Sequence, residues 1–134
     1  MYYLNNYGNE KRTKKESQSL LNEILITDHW IIEDQARDVF KEGLGKADII
    51  IYLEVSYEER KRRIRKRYDD QKENVDNFTS YIIDDELLKK MYKSCDKFEK
   101  EKMLMTDKLL IHQEKLVIIN EHEDALEVLK CFME

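Results

Sequence analysis

Seven of the eight residues from Arg60 to Arg67 are basic, and only Ile64 interrupts them. A guanidinium fork matches the oxygens of a phosphate, and its plane stacks on a flat ring. Arg63 and Arg67 stand four apart, so on a helix they share a face one turn from each other. A second pair lies upstream. Glu33 closes the apolar run Trp30-Ile31-Ile32, and Arg37 follows four residues later. An acid at a strand tip can orient a hydroxyl or a metal-bound water, and an arginine in the next turn can hold a phosphate. These residue types suit the handling of phosphate-bearing molecules, where positioning and charge neutralisation do most of the chemistry. Blander readings stand beside each. Glu33 can be a surface acid, Arg37 a solvated helix arginine, and Arg63 with Arg67 part of a helix salt-bridged to Glu58 and Glu59.

Other constellations carry less. Gly43-Leu44-Gly45-Lys46 echoes a phosphate loop, but it follows a helical pattern and precedes a strand, the reverse of what such a loop needs. The pattern G-x-x-x-x-G-K-[ST] occurs nowhere in the chain. His29, His112 and His122 have no metal-ligand spacing with each other or with Cys95 and Cys131. No serine-hydrolase or cysteine-protease arrangement is legible. The basic run has no interleaved aromatic platform and the net charge is −5, both of which argue against nucleic acid.

These residues need elements to position them. The chain has 134 residues, enough for one domain with a core, and 41% of them are hydrophobic. It holds 3 glycines and no proline, where average usage would give roughly seven prolines. Few breakers favour long helices. No apolar run approaches the ~20 residues that span a bilayer. Two cysteines and no signal peptide point to a reducing, cytoplasmic setting.

Tyr2, Tyr3 and Leu4 read as a strand remnant. Thr13-x-x-Glu16 is a capping box opening a helix with Leu20, Leu21, Ile24 and Leu25 on one face. Trp30-Ile31-Ile32 predicts a short buried strand. Residues 35–44 predict a helix, with Ala36, Val39, Phe40 and Leu44 on one side, ended by Gly43 or Gly45 in the left-handed region. Ile49 to Val55 predicts a strand covered on both faces. Ser56-x-x-Glu59 caps a helix to about Tyr68, and residues 69–80 predict a mobile loop. Asp84 or Asp85, in an acidic first turn, opens a helix with Leu87, Leu88, Met91, Tyr92 and Cys95 inward. Another helix is predicted from Phe98 to about Ile111. Leu116-Val117-Ile118-Ile119 predicts the last strand. Asn120-x-x-Glu123 then caps a final helix burying Leu126, Leu129 and Phe132. Strands alternating with helices imply a parallel sheet with right-handed crossovers.

This order resembles the DNA topology modulation proteins, a branch of the adenylate-kinase-like P-loop kinases. Their third strand typically reads Trp-[Ile/Val]-Ile-Asp-Gly-Asn-Tyr-Arg, and Trp30-Ile31-Ile32-Glu33-Asp34-Gln35-Ala36-Arg37 occupies the same frame. Lys46-Ala47-Asp48-Ile49-Ile50-Ile51-Tyr52-Leu53 is similar to their next strand. Arg63 and Arg67 match the spacing of their lid helix, and residues 81–129 are similar to their C-terminal part. The likeness covers roughly residues 13–130. The resemblance implies one three-layer α/β/α domain over residues 1–134, with a lid at about 56–98. It implies a phosphotransferase acting on a nucleotide or another small hydroxyl- or phosphate-bearing molecule, with ATP and Mg²⁺ as cofactors. Glu33 would take the catalytic acid's place, Arg37 the substrate phosphate, and Arg63 with Arg67 the ATP phosphates.

Two departures qualify this. The family's Asp-Gly pair is Glu33-Asp34 here, and its first strand, phosphate loop and first helix have no counterpart. Met1 falls near the start of the family's second strand. The family's strand order is 2-3-1-4-5, so the central strand is the one without a match. The expectation is a chain inactive by itself that forms a homo-oligomer or recruits a strand-complementing partner. A non-catalytic module acting through protein–protein contacts is the alternative.

Overall fold

The computed structural model describes residues 11–73, 84–121 and 123–133. The first helix, α1, spans Lys14–Leu25 and starts at the expected capping box. Glu16 N–H donates to Thr13 Oγ1 at 3.2 Å, and Thr13 N–H donates to Glu16 Oε2 at 2.8 Å. The Thr13 hydroxyl, which donates to Glu16 Oε2 at 2.7 Å, and then the Thr13 N–H hold the Glu16 carboxyl below its ordinary range. A 3-10 turn at Asp38–Phe40 leads into α2, Lys41–Lys46, and then β1, Ile50–Leu53. Helix α3 spans Tyr57–Glu73 and α4 spans Asp85–Leu110. A 3-10 turn at Gln113–Lys115 enters β2, Leu116–Ile119, and α5 covers Asp124–Met133. β1 and β2 pair in a two-stranded parallel sheet, so the chain is mixed α/β and mostly helical.

The chain divides into two compact units. The first holds the described residues up to Ile51 together with Met105–Val117. Here α1 packs on α2 and on the 3-10 turn before it. Leu21, Phe40, Ile50 and Leu109 are its buried apolar side chains. Gly43 marks the close approach. A methyl there would lie 3.6 Å from Ile32 Cδ1 and 3.7 Å from Leu21 Cδ1. The α2 carbonyls at its C-terminal end are not left bare. Lys115 Nζ donates to Gly45 O at 2.8 Å and to Ala47 O at 2.7 Å.

The second unit holds Tyr52–Leu104 and the described residues from Ile118 onward. Tyr68, Leu88, Cys95 and Ile119 are buried in it. Helix α3 has little apolar surface and docks on α4 through polar bonds. Tyr57 Oη donates to Asp96 Oδ1 at 2.6 Å, and Tyr68 Oη donates to Asp85 Oδ1 at 2.6 Å. Arg60 lies 4.7 Å over the Phe98 ring, pairs with Glu99, and donates to Val55 O at 3.0 Å. That last bond ties the start of α3 to the end of the β1 segment.

Several expectations need correction. Residues 30–33 form no strand, and Ile31 is 90% exposed. A strand exists only against a partner's ladder, and none is described beside this run. Residues 35–37 are not helical, and Ala36 sits at φ 52°, in the left-handed region. Neither Gly43 nor Gly45 is left-handed; both lie inside α2, which ends instead on extended Ala47. The Lys115 ammonium bonds the Gly45 carbonyl of the last turn and that of the C-cap Ala47. The expected loop begins later, because residues 69–73 continue α3. Its remainder, 74–80, lies outside the described residues, as do Tyr2, Tyr3, Leu4 and His122. The two expected helices over 85–111 are one, since nothing between Cys95 and Phe98 breaks a helix. β1 is not covered on both faces, as Leu53 is 37% exposed. Helix α5 starts at Asp124, not at Asn120, and leaves Leu126 65% and Phe132 51% exposed. No described element covers those side chains.

Candidate functional site

The basic run folds as α3 because its ends and its charges are managed locally. Ser56 Oγ accepts from Glu59 N–H at 3.2 Å, the N-terminal half of the expected capping box. Glu58 and Glu59 in the first turn suit the helix dipole. The Glu59 side chain does not close the box. It turns to the arginines instead. Arg62 donates to it from Nε at 2.6 Å and from Nη2 at 2.7 Å, and Arg63 donates from Nε at 2.7 Å. The Arg62 and then the Arg63 donors hold the Glu59 carboxyl down at about 2, so it is ionised over any ordinary pH. Arg65 pairs with Asp69 at 2.9 Å, and Lys61 with Asp96 at 3.3 Å.

Arg63 has a further partner that no local pattern announces. Its Nη2 donates to Glu121 Oε2 at 3.2 Å, across 58 positions of sequence. Glu121 lies two residues beyond the end of β2, and α3 opens just beyond the end of β1. Arg63 therefore stands at the carboxyl ends of two parallel strands. In open α/β sheets, ligands bind in that position. Arg67 is exposed, one turn further along α3, and has no partner among the described residues.

Glu33 and Arg37 belong to the first unit. Glu33 is exposed and has no bond among the described residues. The acid that engages Arg37 is its neighbour Asp34. Asp34 Oδ2 accepts the Arg37 backbone N–H at 2.7 Å, and Asp34 Oδ1 pairs with the Arg37 guanidinium. Arg37 also reaches Gln35 Oε1 at 3.4 Å. This clasp holds Ala36 in a conformation that costs an alanine about 1 kcal/mol. An Asp three residues before an Arg, with turn-forming capacity of its own, was the available signal for it. Glu121 had no comparable signal.

A third feature is an open groove on the second unit, lined by Lys61, Arg62, Arg65 and Lys66 of α3 with Asp69 and with Tyr92 of α4. The tertiary structure thus supplies an aromatic ring that the basic run lacks in sequence, with Lys61 Nζ 5.6 Å from its centroid. Three of the four cations already carry an acidic partner, so the groove is much less positive than the run of letters.

For a metal, the described residues offer no group of three or more His, Cys, Asp or Glu side chains. Asp34, beside Glu33, is committed to Arg37, which leaves the exposed Glu33 as the carboxylate that would meet a Mg²⁺ carried by substrate phosphates. No described helix is long and apolar enough to cross a membrane. Against protein-family models, curated proteins and solved structures alike, the chain finds no match.

Proposed function

We propose that this chain is an adenylate-kinase-like phosphotransferase domain of the three-layered α/β/α type that grips the phosphates of a nucleotide or phosphorylated small molecule. Arg63 and Arg67 take the nucleotide phosphates, Arg37 the acceptor phosphate, and Glu33 orients the acceptor. The chain by itself does not turn ATP over. A backbone N–H cradle and its lysine supply most of the grip on the β- and γ-phosphates, and the 134 residues contain no such loop. One observation carries the reading: Arg63, on the helix after β1, meets Glu121, just after β2, at the carboxyl ends of a parallel pair. That position supports a phosphate site. A cytoplasmic setting accords with the free cysteines, Cys95 buried and Cys131 exposed.

The test is direct. ATP with Mg²⁺ is titrated into the purified chain by calorimetry, and phosphate release is followed separately. Weak binding that disappears in Arg63→Gln and weakens in Arg67→Gln is the expected result, with no turnover. Turnover by the wild-type chain that Arg67→Ala abolishes would overturn the non-catalytic part. Binding indifferent to both arginines would overturn the site.

A second reading is favoured by a separate observation. In the second unit Leu53 and Ile118 of the sheet, and Leu126, Phe132 and Met133 of α5, are exposed. Among the described residues, each strand of this two-stranded sheet also has one edge with no strand paired to it. This supports a module that works by associating with another polypeptide, a second copy being the simplest. Light scattering at low micromolar concentration then gives about twice the chain mass of 16.3 kDa. A sharp monomer peak removes this reading.

A further inference from the structure

Arg63 has two acidic partners, and they are held very differently. Glu59 is fixed. It lies on the same helix one turn back, its side chain is 29% exposed, and it accepts three donors at 2.6–2.7 Å. Glu121 is not. Its side chain is 63% exposed, it contributes one oxygen, and it stands at 3.2 Å. Its backbone is anchored where the side chain is free, because Glu121 O accepts the Asp124 N–H at 3.3 Å in the turn that opens α5. Releasing Arg63 therefore needs only a side-chain rotation at Glu121, with no shift of β2 or α5.

We propose that Glu121 is an internal carboxylate plug, occupying on Arg63 the donor that a phosphate oxygen takes when a phosphorylated ligand arrives. This rests on the reading of Arg63 as a phosphate ligand and adds its regulation. A carboxylate and a phosphate present oxygens of similar charge to a guanidinium fork, so one substitutes for the other. An exposed pair of this kind is weak, and a multiply charged phosphate displaces it. Glu59 stays in place on exchange. It is held ionised and keeps the Arg62 and Arg63 guanidiniums side by side, so the site is ordered before the ligand enters. The plug also selects. A singly charged anion gains little over the carboxylate it must displace, whereas pyrophosphate gains its additional charges.

The experiment titrates inorganic pyrophosphate into the wild-type chain, Glu121→Gln, Glu127→Gln and Arg63→Gln, with thermal unfolding of each as a check on folding. Glu127, exposed on α5, loses the same charge without touching Arg63. Glu121→Gln is expected to bind roughly three- to fivefold tighter than wild type, Glu127→Gln within about twofold of it, and Arg63→Gln to lose binding. Glu121→Ser serves if the glutamine variant is unstable. Equal affinity in wild type and Glu121→Gln, or an equal gain in Glu127→Gln, overturns the plug while leaving the Arg63 site standing. Binding that survives Arg63→Gln, or no binding in any variant, overturns the phosphate site and the plug with it.

Discussion

Replacing Gly43 with alanine separates two accounts of the Gly43-Leu44-Gly45-Lys46 segment by the sign of one number. Inside α2, as the structure has it, alanine is the better helix former by roughly 0.8–1.0 kcal/mol. The new methyl would meet Ile32 Cδ1 at 3.6 Å and Leu21 Cδ1 at 3.7 Å, ordinary contact distances in a buried spot. Its burial adds at most about 0.8 kcal/mol. Because α2 is only six residues long, part of the propensity gain is lost to fraying, and a net stabilisation of about 1 kcal/mol is expected. Gly45→Ala is the internal control. Nothing lies within 4 Å of its added methyl, so only the propensity gain remains, about 0.5 kcal/mol near a helix end. Were either glycine a left-handed cap, alanine would instead cost about 1–2 kcal/mol. Urea unfolding followed by circular dichroism reads the difference. With a slope of about 1–3 kcal/mol per molar, the Gly43→Ala midpoint rises by roughly 0.3–1 M. A midpoint that falls by a similar amount at unchanged slope would refute the helical reading and the packing argument together.

Lys115→Met removes the ammonium that bonds Gly45 O and Ala47 O, and should cost about 1–2 kcal/mol in the same urea assay. Tyr68→Phe keeps the buried ring but deletes its bond to Asp85. It should cost about 1–2 kcal/mol and return the Asp85 carboxyl toward its ordinary range, followed by NMR titration of that side chain. Glu59 is depressed in the folded chain from its ordinary 4.5 to about 2. Its contribution is therefore complete above about 4.5 and is lost as pH falls toward about 2. Thermal unfolding across that window should show a loss in wild type that Glu59→Gln reduces, and identical pH profiles would contradict the Arg62–Glu59–Arg63 geometry.

Local signals in the sequence determined the starts of α1, α3 and α4 and the two strands. Thr13 with Glu16, Ser56, and Asp84, whose Oδ1 accepts Leu87 N–H at 2.8 Å, cap as their spacing requires. Caps act over three residues, so no distant part of the chain needs to be known. Residues 116–119 form a strand at the expected bounds, and β1 falls within residues 49–55, because β-branched apolar runs of that length suit little else. The absence of breakers was also in plain view, yet its full consequence, a single helix from Asp85 to Leu110, depended on the apolar stripe staying in phase. Residues 30–33 had the same apolar character as the true strands and still form none. Pairing is a property of two segments, and the letters of one cannot supply the other. Likewise the sequence placed Arg63 and Arg67 on one helix and Glu59 beside them, by helical spacing alone. Only the tertiary structure brought Glu121 to Arg63 and Tyr92 to the groove on α3. Those contacts follow from the pairing of β1 with β2 and from the docking of α3 on α4, and no periodicity in one dimension encodes them.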